Sequence, residues 1–448
     1  MLAYGSNFVQ ESHPLTLDAR PTTRRRFHPA WAVAAVAFVA LIGAAGFRAA
    51  PGALMVPLHD EFGWSTSVMS LAVSINLLLF GLTAPFAAAL MDKFGIRQVV
   101  VVALSLVALG AGGSVLMTAS WQLLVFWGVL IGLGTGSMAL VLAATIANRW
   151  FHARRGLVMG ILTAGSATGQ LIFLPVVAHL ADSAGWRQAS LVVAVAALAV
   201  VPLVWFVVRD HPHERGVLPY GAPADHVPPA PVTGGAARRA IEGLTYASKH
   251  WSFWALAIAF AICGATTNGL IGIHFIPSAH DHGMSSTTAA GLLAAVGVFD
   301  IIGTIASGWL TDKFDPRMLL VLYYLFRGLG LLLLPQLLAD SVHPSMILFI
   351  VIYGLDWVAT VPPTVALCRE AFGDRGTIVF GWVFASHQIG AAVAALGAGV
   401  IRDTFGTYTY AWWAGGALCA IAAVLSVMVG TGPESSARAE AALPALEK

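Results

Sequence analysis

Charged residues are scarce in this chain. Of its 448 residues only 10% are Asp, Glu, Lys or Arg, whereas 58% are hydrophobic. Soluble domains carry about 25% charged residues, so this composition excludes a soluble protein. Cysteine is scarce as well. The chain has only Cys263, Cys368 and Cys419, and each lies singly in an apolar segment. Without paired spacing they indicate neither a disulfide framework nor a metal site, and we expect no metal and no cofactor.

Long hydrophobic runs dominate what is present. A helix that crosses a bilayer needs about 20 mostly apolar residues, and we find twelve runs of that kind. The predicted spans are Trp31–Leu54, Val68–Met91, Gln98–Met117, Trp121–Asn148, Leu157–Ala181, Trp186–Val208, Trp251–Ala279, Thr287–Thr311, Met318–Leu338, Ser345–Cys368, Thr377–Ile401 and Tyr408–Val429. They predict an all-α membrane protein.

The last six spans repeat the first six. Asp92 begins an Asp-Lys-Phe triplet after the second span, and Asp312 begins the same triplet after the eighth. Asp182 and Asp403 likewise end the fifth and eleventh spans, each three residues before a glycine. A duplicated six-helix unit is typical of secondary transporters, which hold substrate between the halves near the bilayer midplane. We therefore predict two pseudo-symmetric six-helix bundles.

The predicted organisation has five parts. They are a tail (1–29), the first bundle (30–208), a Pro- and Gly-rich linker (209–250) that ends in a short interfacial helix from Arg238 to Lys249, the second bundle (251–430) and a second tail (431–448). Lys and Arg concentrate on one side of the membrane. If the N-terminus is placed inside the cell, only Arg187 and Arg402 of the Lys and Arg residues that are not at membrane depth lie on the outer side. Both termini are therefore predicted to be cytoplasmic, and the basic residues indicate topology and not nucleic-acid binding.

Four charged residues lie at membrane depth. Arg48 lies in the outer half of the first span, and Asp300, Arg327 and Asp356 lie near the centres of the eighth, ninth and tenth. A charge at this depth costs about 2.5–3.5 kcal/mol on insertion scales, so such residues are rare and usually functional.

The second half has two carboxylates but only one guanidinium at membrane depth, so one carboxylate has no ion-pair partner if the other pairs with Arg327. Arg327 stays ionised and needs a carboxylate partner, which either Asp300 or Asp356 can supply. The other carboxylate would then favour its protonated form and could carry a proton. The alternative is a structural triad in which both carboxylates share Arg327. The residues alone leave both interpretations open.

Polar residues at the same depth are candidate substrate contacts. A guanidinium such as that of Arg48 matches a carboxylate in two hydrogen bonds, which favours an organic anion as cargo; alternatively Arg48 reaches outward to the lipid headgroups. The further candidates are Asn76, Gln170, Asn268, His274, His387 and Gln388. Each histidine could instead be a buried, hydrogen-bonded residue with no contact to substrate.

The segment after the second span resembles the signature of the major facilitator superfamily, Gly-x3-Asp-Arg/Lys-x-Gly-x-Arg/Lys. Here it runs from Ala88 through Asp92 to Arg97, with alanine in place of the first glycine, and the copy around Asp312 lacks the second glycine. In this superfamily the motif latches the cytoplasmic face between the halves. The resemblance implies a latch of Asp92, Arg97 and Asp312, with Asp92 facing the inner end of the eleventh helix and Arg97 a nearby carboxylate.

Three further segments are similar to the monocarboxylate-porter group and its oxalate/formate members. They are Asn148–Phe151, Gly354–Trp357 and His387–Gly390. The resemblance implies a bacterial inner-membrane carrier that moves a small organic anion by alternating access. In that group transport occurs by proton symport or by anion exchange. The eighth-helix carboxylate of the animal carriers carries over to Asp300, but their arginine one turn later is Thr304 here, so the anion-binding cation would be Arg48.

We therefore predict a monomeric, multi-pass carrier for a small monocarboxylate and a proton. Asp300 would carry the proton, with Arg327 and Asp356 as a supporting pair. An anion exchanger, an efflux carrier for hydrophobic or cationic compounds, and a membrane sensor without transport remain alternatives. An enzyme is not expected, because no nucleophile–base pair or metal cluster is evident.

Overall fold

A computed structural model describes residues 28–223 and 235–430. The predicted tails and the middle of the linker lie outside these residues. The described chain holds twelve helices long and apolar enough to cross a membrane. The first six are Pro29–Phe62 (α1), Thr66–Phe94 (α2), Ile96–Ser114 (α3), Ser120–Trp150 (α4), Arg155–Ser183 (α5) and Trp186–Val207 (α6). The second six are Trp251–Asp281 (α7), Ser286–Thr311 (α8), Pro316–Leu337 (α9), Pro344–Phe372 (α10), Gly376–Phe405 (α11) and Thr409–Val427 (α12).

The helices form two pseudo-symmetric bundles, α1–α6 and α7–α12, which meet mainly where α2 packs on α11 and α5 on α8. The predicted fold class is confirmed. Most spans differ from prediction by a few residues at their ends, and two differ more. Helix α1 continues beyond Leu54 to Phe62, and α10 is not continuous but unwinds at residues 357–360 between two helical pieces.

The start of the described chain, its end and the linker share one side of the molecule. The ring of His28 packs on Tyr220 with centroids 5.5 Å apart, and Ser252 Oγ donates a hydrogen bond to the Gly430 carbonyl. We call this end the linker side and the opposite end the far side.

A linker helix, Ala236–Ala247, lies on the linker side against both α2 and α11. Ala240, Gly243 and Ala247 are buried along one face, and Trp382 Nε1 of α11 donates to the Ala240 carbonyl at 2.8 Å. Buried positions at this spacing lie on one side of a helix. The segment is therefore an interfacial helix that bridges the two halves, close to where the sequence places one.

The turn between α2 and α3 explains the glycine of the first signature copy. Gly95 has φ +87° and ψ 151°, a region open almost only to glycine. A Cβ there would lie 2.3 Å from the Asp210 carboxylate, which accepts the Arg97 amide at 3.0 Å and so caps α3. In the second copy Asp315 has φ −58° and caps α9 with its own side chain. The second glycine is dispensable there because no other carboxylate has to approach.

We predict that Gly95→Ala lowers the free energy of unfolding by about 1–3 kcal/mol, the usual cost of such a backbone conformation, with a further loss from the clash with Asp210. Gly63→Ala is the matched control, since Gly63 also has positive φ (+65°) but open space around its Cβ position. Thermal unfolding in detergent should show the larger decrease for Gly95→Ala. Equal decreases would contradict the role of Asp210.

Candidate functional site

A polar cavity lies between the two halves. Its walls come from α1, α2 and α5 on one side and from α7, α8 and α10 on the other. Its polar and aromatic lining residues are Asn76, Gln170, Asn268, Asp300 and Trp357. Four of the candidate residues from the sequence, Asn76, Gln170, Asn268 and Asp300, are therefore brought together here. Trp357 is a lining residue that the sequence analysis did not single out.

Two π-helical turns place the asparagines. Asn268 lies in the π-helical part of α7, Ala265–Ile271. Asn76 donates from Nδ2 to the carbonyl of Trp127 at 2.7 Å, and Trp127 lies in the π-helical part of α4, Leu124–Ile131. Such turns are rare and occur frequently at functional sites. Hydropathy does not reveal them, because it does not depend on the backbone hydrogen-bond pattern that distinguishes a π-helical turn from an α-helical one.

A buried ion pair joins α9 to α10. Arg327 Nε donates to Asp356 Oδ2 at 2.6 Å, and the two side chains are 0% and 6% exposed. The guanidinium also donates through Nη1 to Cys263 Sγ at 2.9 Å. Pairing and hydrogen bonds offset the loss of hydration of such a pair, which is otherwise costly in a low-dielectric interior.

The break in α10 has its free backbone groups bound by side chains from α8 and α9. Arg327 Nη2 donates to the carbonyls of Asp356 (2.7 Å) and Trp357 (3.4 Å). Asp300 accepts the Val358 amide at 3.0 Å, and Ser307 Oγ donates to the Ala359 carbonyl. Unsatisfied backbone groups are expensive at membrane depth, so these contacts explain how an unwound segment persists there.

Asp300 differs from Asp356 in its partners. Its Oδ1 accepts from Thr304 Oγ1 and from the Val358 amide, both at 3.0 Å. Within residues 28–223 and 235–430 it makes no ion pair. The structure thus pairs Arg327 with Asp356 and leaves Asp300 at the cavity wall, an arrangement unlike a triad in which both carboxylates share the arginine.

His274 does not reach the cavity, contrary to its assignment as a substrate contact. Its side chain is completely buried and packs on the Tyr408 ring at 5.2 Å. Nε2 lies 2.8 Å from the Ala395 carbonyl, and since a carbonyl only accepts, this nitrogen carries the proton. In this conformation His274 is a buried, hydrogen-bonded histidine that ties α7 to α11.

His387 and Gln388 also lie away from the cavity. The His387 ring packs between Phe260 (4.8 Å) and Phe384 (5.9 Å). Gln388 is completely buried on the face of α11 that meets α2, where the missing side chain of Gly81 makes room for it. Their assignment as substrate contacts is therefore also corrected for this conformation.

Arg48 belongs to α1, but its side chain lies outside the described part of the structure. Its role as the anion-binding cation stays a prediction.

The expected latch has different partners from those implied by the resemblance. Asp92 forms an ion pair with Arg149 at the end of α4, in its own half. The guanidinium of Arg97 stacks over Trp205, 4.8 Å from the ring centroid. Asp312 is exposed and has no ion pair within the described ranges. The motif identifies the charged residues, but it does not determine which of several nearby helix ends each of them contacts.

The halves are instead joined by hydrogen bonds towards the far side. Asp403, at the end of α11, accepts the backbone amides of Thr66 (3.1 Å) and Ser67 (2.7 Å), at the start of α2. Asp182, at the end of α5, accepts from Thr287 Oγ1 (2.8 Å), at the start of α8. The two contacts are copies of each other under the duplication. Sequence analysis recorded both aspartates as landmarks of the repeat, and that repetition was the available signal of a shared role.

Two six-helix bundles around a central polar cavity define a multi-pass membrane protein of the transporter class. The chain belongs to the Major Facilitator Superfamily, whose family model matches residues 36–379 and 262–447. This confirms the predicted superfamily.

Similar proteins place the chain near the monocarboxylate branch, as the sequence motifs predicted. It is 28% identical over 403 residues to the uncharacterized MFS-type transporter YcxA of Bacillus subtilis (strain 168), covering 83% of this chain and 88% of that protein. It is 27% identical over 395 residues to monocarboxylate transporter 13 of Bos taurus, covering 86% of each.

Solved structures agree in fold. A bacterial homolog of the human lysosomal transporter Spinster, in an inward-facing and unoccupied conformation, has a TM-score of 0.64 at 17% identity and covers 90% of this chain and 94% of its own. A D-xylose-proton symporter has a TM-score of 0.68 at 15% identity and covers 91% and 99%. At these identities the likeness concerns the fold alone.

We predict that Asp356→Ala lowers the free energy of unfolding by about 3–5 kcal/mol, because it leaves a buried guanidinium unpaired. Glu242→Ala is the control, since the Arg238–Glu242 pair of the linker helix is exposed and such pairs contribute about 0.3–0.5 kcal/mol. Thermal unfolding in detergent measures both. A similar small decrease for the two variants would contradict the structural importance of the buried pair.

Proposed function

We propose that this protein is a proton-coupled symporter of small monocarboxylates. The observation that carries the proposal is Asp300, a carboxylate at the wall of the central cavity whose partners are a hydroxyl and a backbone amide. A carboxylate at membrane depth without a cationic partner favours its protonated form and can take up and release a proton. The similarity to monocarboxylate transporters supports the class of cargo.

The anion would bind between the two halves. Arg48 is our candidate for the cation that pairs with its carboxylate, and the amides of Gln170 and Asn268 can hydrogen-bond the rest of a small polar molecule. Arg327 and Asp356 would support the site without contacting cargo.

Alternating access would proceed by rocking of the halves. The hydrogen bonds of Asp403 and Asp182, which join the halves, lie towards the far side, and Ser74 Oγ of α2 donates to the Ala392 carbonyl of α11 at 2.7 Å. This arrangement supports a conformation closed at the far side. With both termini in the cytoplasm of a bacterial cell, as we propose for a monomer in the inner membrane, it would be inward-facing.

A second candidate is an efflux carrier for cationic or neutral compounds. One observation favours it: among the described lining residues of the cavity, Asp300 is the sole charged group. A carboxylate without a cation beside it would attract a cation. The symporter needs Arg48 to bind the anion, whereas the efflux carrier does not need Arg48.

We predict that Asp300→Asn abolishes proton movement with monocarboxylates. Proteoliposomes receive acetate, lactate or pyruvate, and interior pH is followed for wild type, Asp300→Asn, Arg48→Ala and the control Asp340→Asn, which changes an exposed loop residue. We expect protein-dependent acidification that the control retains, that Asp300→Asn abolishes and that Arg48→Ala reduces about 10-fold or more, since a bidentate charged contact contributes at least 1.4 kcal/mol.

The outcomes separate the candidates. Acidification retained in Asp300→Asn would contradict a proton site at Asp300. Transport unaffected by Arg48→Ala would favour the efflux carrier, and uptake of one monocarboxylate driven by another without acidification would favour anion exchange.

We further predict that loss of the far-side contacts opens the cavity towards the far side. Gly297 lines the cavity, and a Cβ there meets open space, so Gly297→Cys provides a labelling position. A membrane-impermeant maleimide added from the far side should label this cysteine several-fold faster when Asp182→Ala and Asp403→Ala are both present, because two contacts between the halves are lost. Asp340→Ala should leave the rate unchanged. An unchanged rate in the double variant would contradict the proposed closure.

A further inference from the structure

The break in α10 links two residues of the cavity wall, Asp300 and Trp357, through the backbone amide of Val358. Asp356, the last residue before the break, pairs with Arg327. The first two residues of the break are Trp357, which lines the cavity, and Val358, whose amide donates to Asp300. We propose that the α10 break is a positioning element: the charged Asp300 carboxylate holds the Val358 amide and thereby sets the place of the Trp357 ring in the cavity, so that the charge of Asp300 controls the aromatic wall against which cargo binds.

The first step of the argument concerns the strength of the contact to Val358. A hydrogen bond from an amide to an ionised carboxylate is roughly twice as strong as one to a neutral acceptor. The amide of Val358 follows the last turn of the first α10 piece, which ends at Asp356, and Asp300 is its hydrogen-bond acceptor in the structure. Neutralising Asp300 therefore weakens the contact that ties this peptide to α8.

The second step concerns the freedom of Trp357. Arg327 holds the carbonyl of Asp356 closely at 2.7 Å but that of Trp357 only loosely at 3.4 Å. The peptide between Trp357 and Val358 is thus fixed chiefly from its amide side, by Asp300. On the other side Gly303 lets α8 and α10 approach so closely that a Cβ there would lie 1.9 Å from the Leu355 carbonyl. The helix before the break is rigidly seated, and the four-residue break is where movement can be absorbed.

The groups around Asp300 make it the sensitive member of this network. On α9 the titratable neighbours are Arg327 and, against Ser307, the phenol of Tyr323; on α10 the neighbour is Asp356. The polar cavity residues on α5 and α7, which flank α8, are uncharged amides. Arg327 and Asp356 compensate each other in a direct pair. Asp300, which borders the cavity and lacks such a partner among the described residues, is the group whose charge can change with least disruption.

This inference rests on the proposed proton site but adds a consequence for cargo. When Asp300 is charged, Trp357 would be held in the position seen here; when Asp300 is neutral, the ring would be released. Proton and cargo would then be linked through a movement of one peptide and one ring, without direct contact between them.

The test follows Trp357 by fluorine NMR, without any cargo. Full-length protein in nanodiscs is labelled with 5-fluorotryptophan, and the Trp357 resonance is assigned as the one missing from Trp357→Phe. In wild type we expect this resonance to move along a single titration curve as the pH is varied over the range in which the protein stays folded. Asp300→Asn should hold it at the low-pH position at every pH.

Ser307→Ala is the matched control. It removes an uncharged contact to the same break, at the Ala359 carbonyl, so the Trp357 resonance should keep its full pH dependence. A wild-type resonance that does not respond to pH, or a response that Asp300→Asn retains, would overturn the inference. The wild-type titration needs no substitution at Asp300, so a wild-type resonance without pH dependence overturns the inference even if that variant does not fold.

The experiment separates this inference from the proposed function. If monocarboxylates are not transported but the Trp357 resonance responds to the charge of Asp300, the link between Asp300 and Trp357 is supported and the assignment of monocarboxylates as cargo is contradicted. If proton-coupled transport is observed but the resonance is independent of pH, the coupling through α10 falls and the symporter assignment stands.

Discussion

The structure depends on the demand that every backbone amide and carbonyl at membrane depth finds a partner within the protein. Eleven of the twelve spans meet it by continuous helix, two of them with a π-helical turn. Helix α10 does not, and there Asp300, Ser307 and Arg327 supply the missing partners. The charged residues at the centre of the second half are thus structural necessities as well as candidates for function.

The two halves keep the same structural contacts more often than they keep the same residues. The amide of Arg97 is capped by Asp210 through the space left by Gly95, whereas the equivalent amide in the second copy is capped by the adjacent Asp315. At the far side, by contrast, Asp182 and Asp403 keep both residue type and task. A change in the repeat is therefore informative only when the contact it replaces is known.

Sequence reasoning predicted the twelve spans, the two bundles and the superfamily, because hydropathy and repetition are properties of long segments. From the residues alone it left open which aspartate pairs with Arg327, because that depends on where α10 unwinds. With the resemblance it assigned Arg327 to Asp356, and the structure shows that pair. It proposed His274, His387 and Gln388 as substrate contacts, and in this conformation all three lie away from the cavity, because depth in a span does not reveal which face of a helix meets the cavity. It missed the partner of Asp92 for the related reason that several helix ends compete at one membrane surface.

The ion pair between Arg327 and Asp356 has a consequence for biogenesis. The two residues lie on helices that follow each other in sequence and are joined by only a short turn. Each charge alone would burden its own helix during entry into the bilayer. Together they favour entry of α9 and α10 as a hairpin whose charges are already matched, so this part of the chain behaves as one unit of membrane insertion.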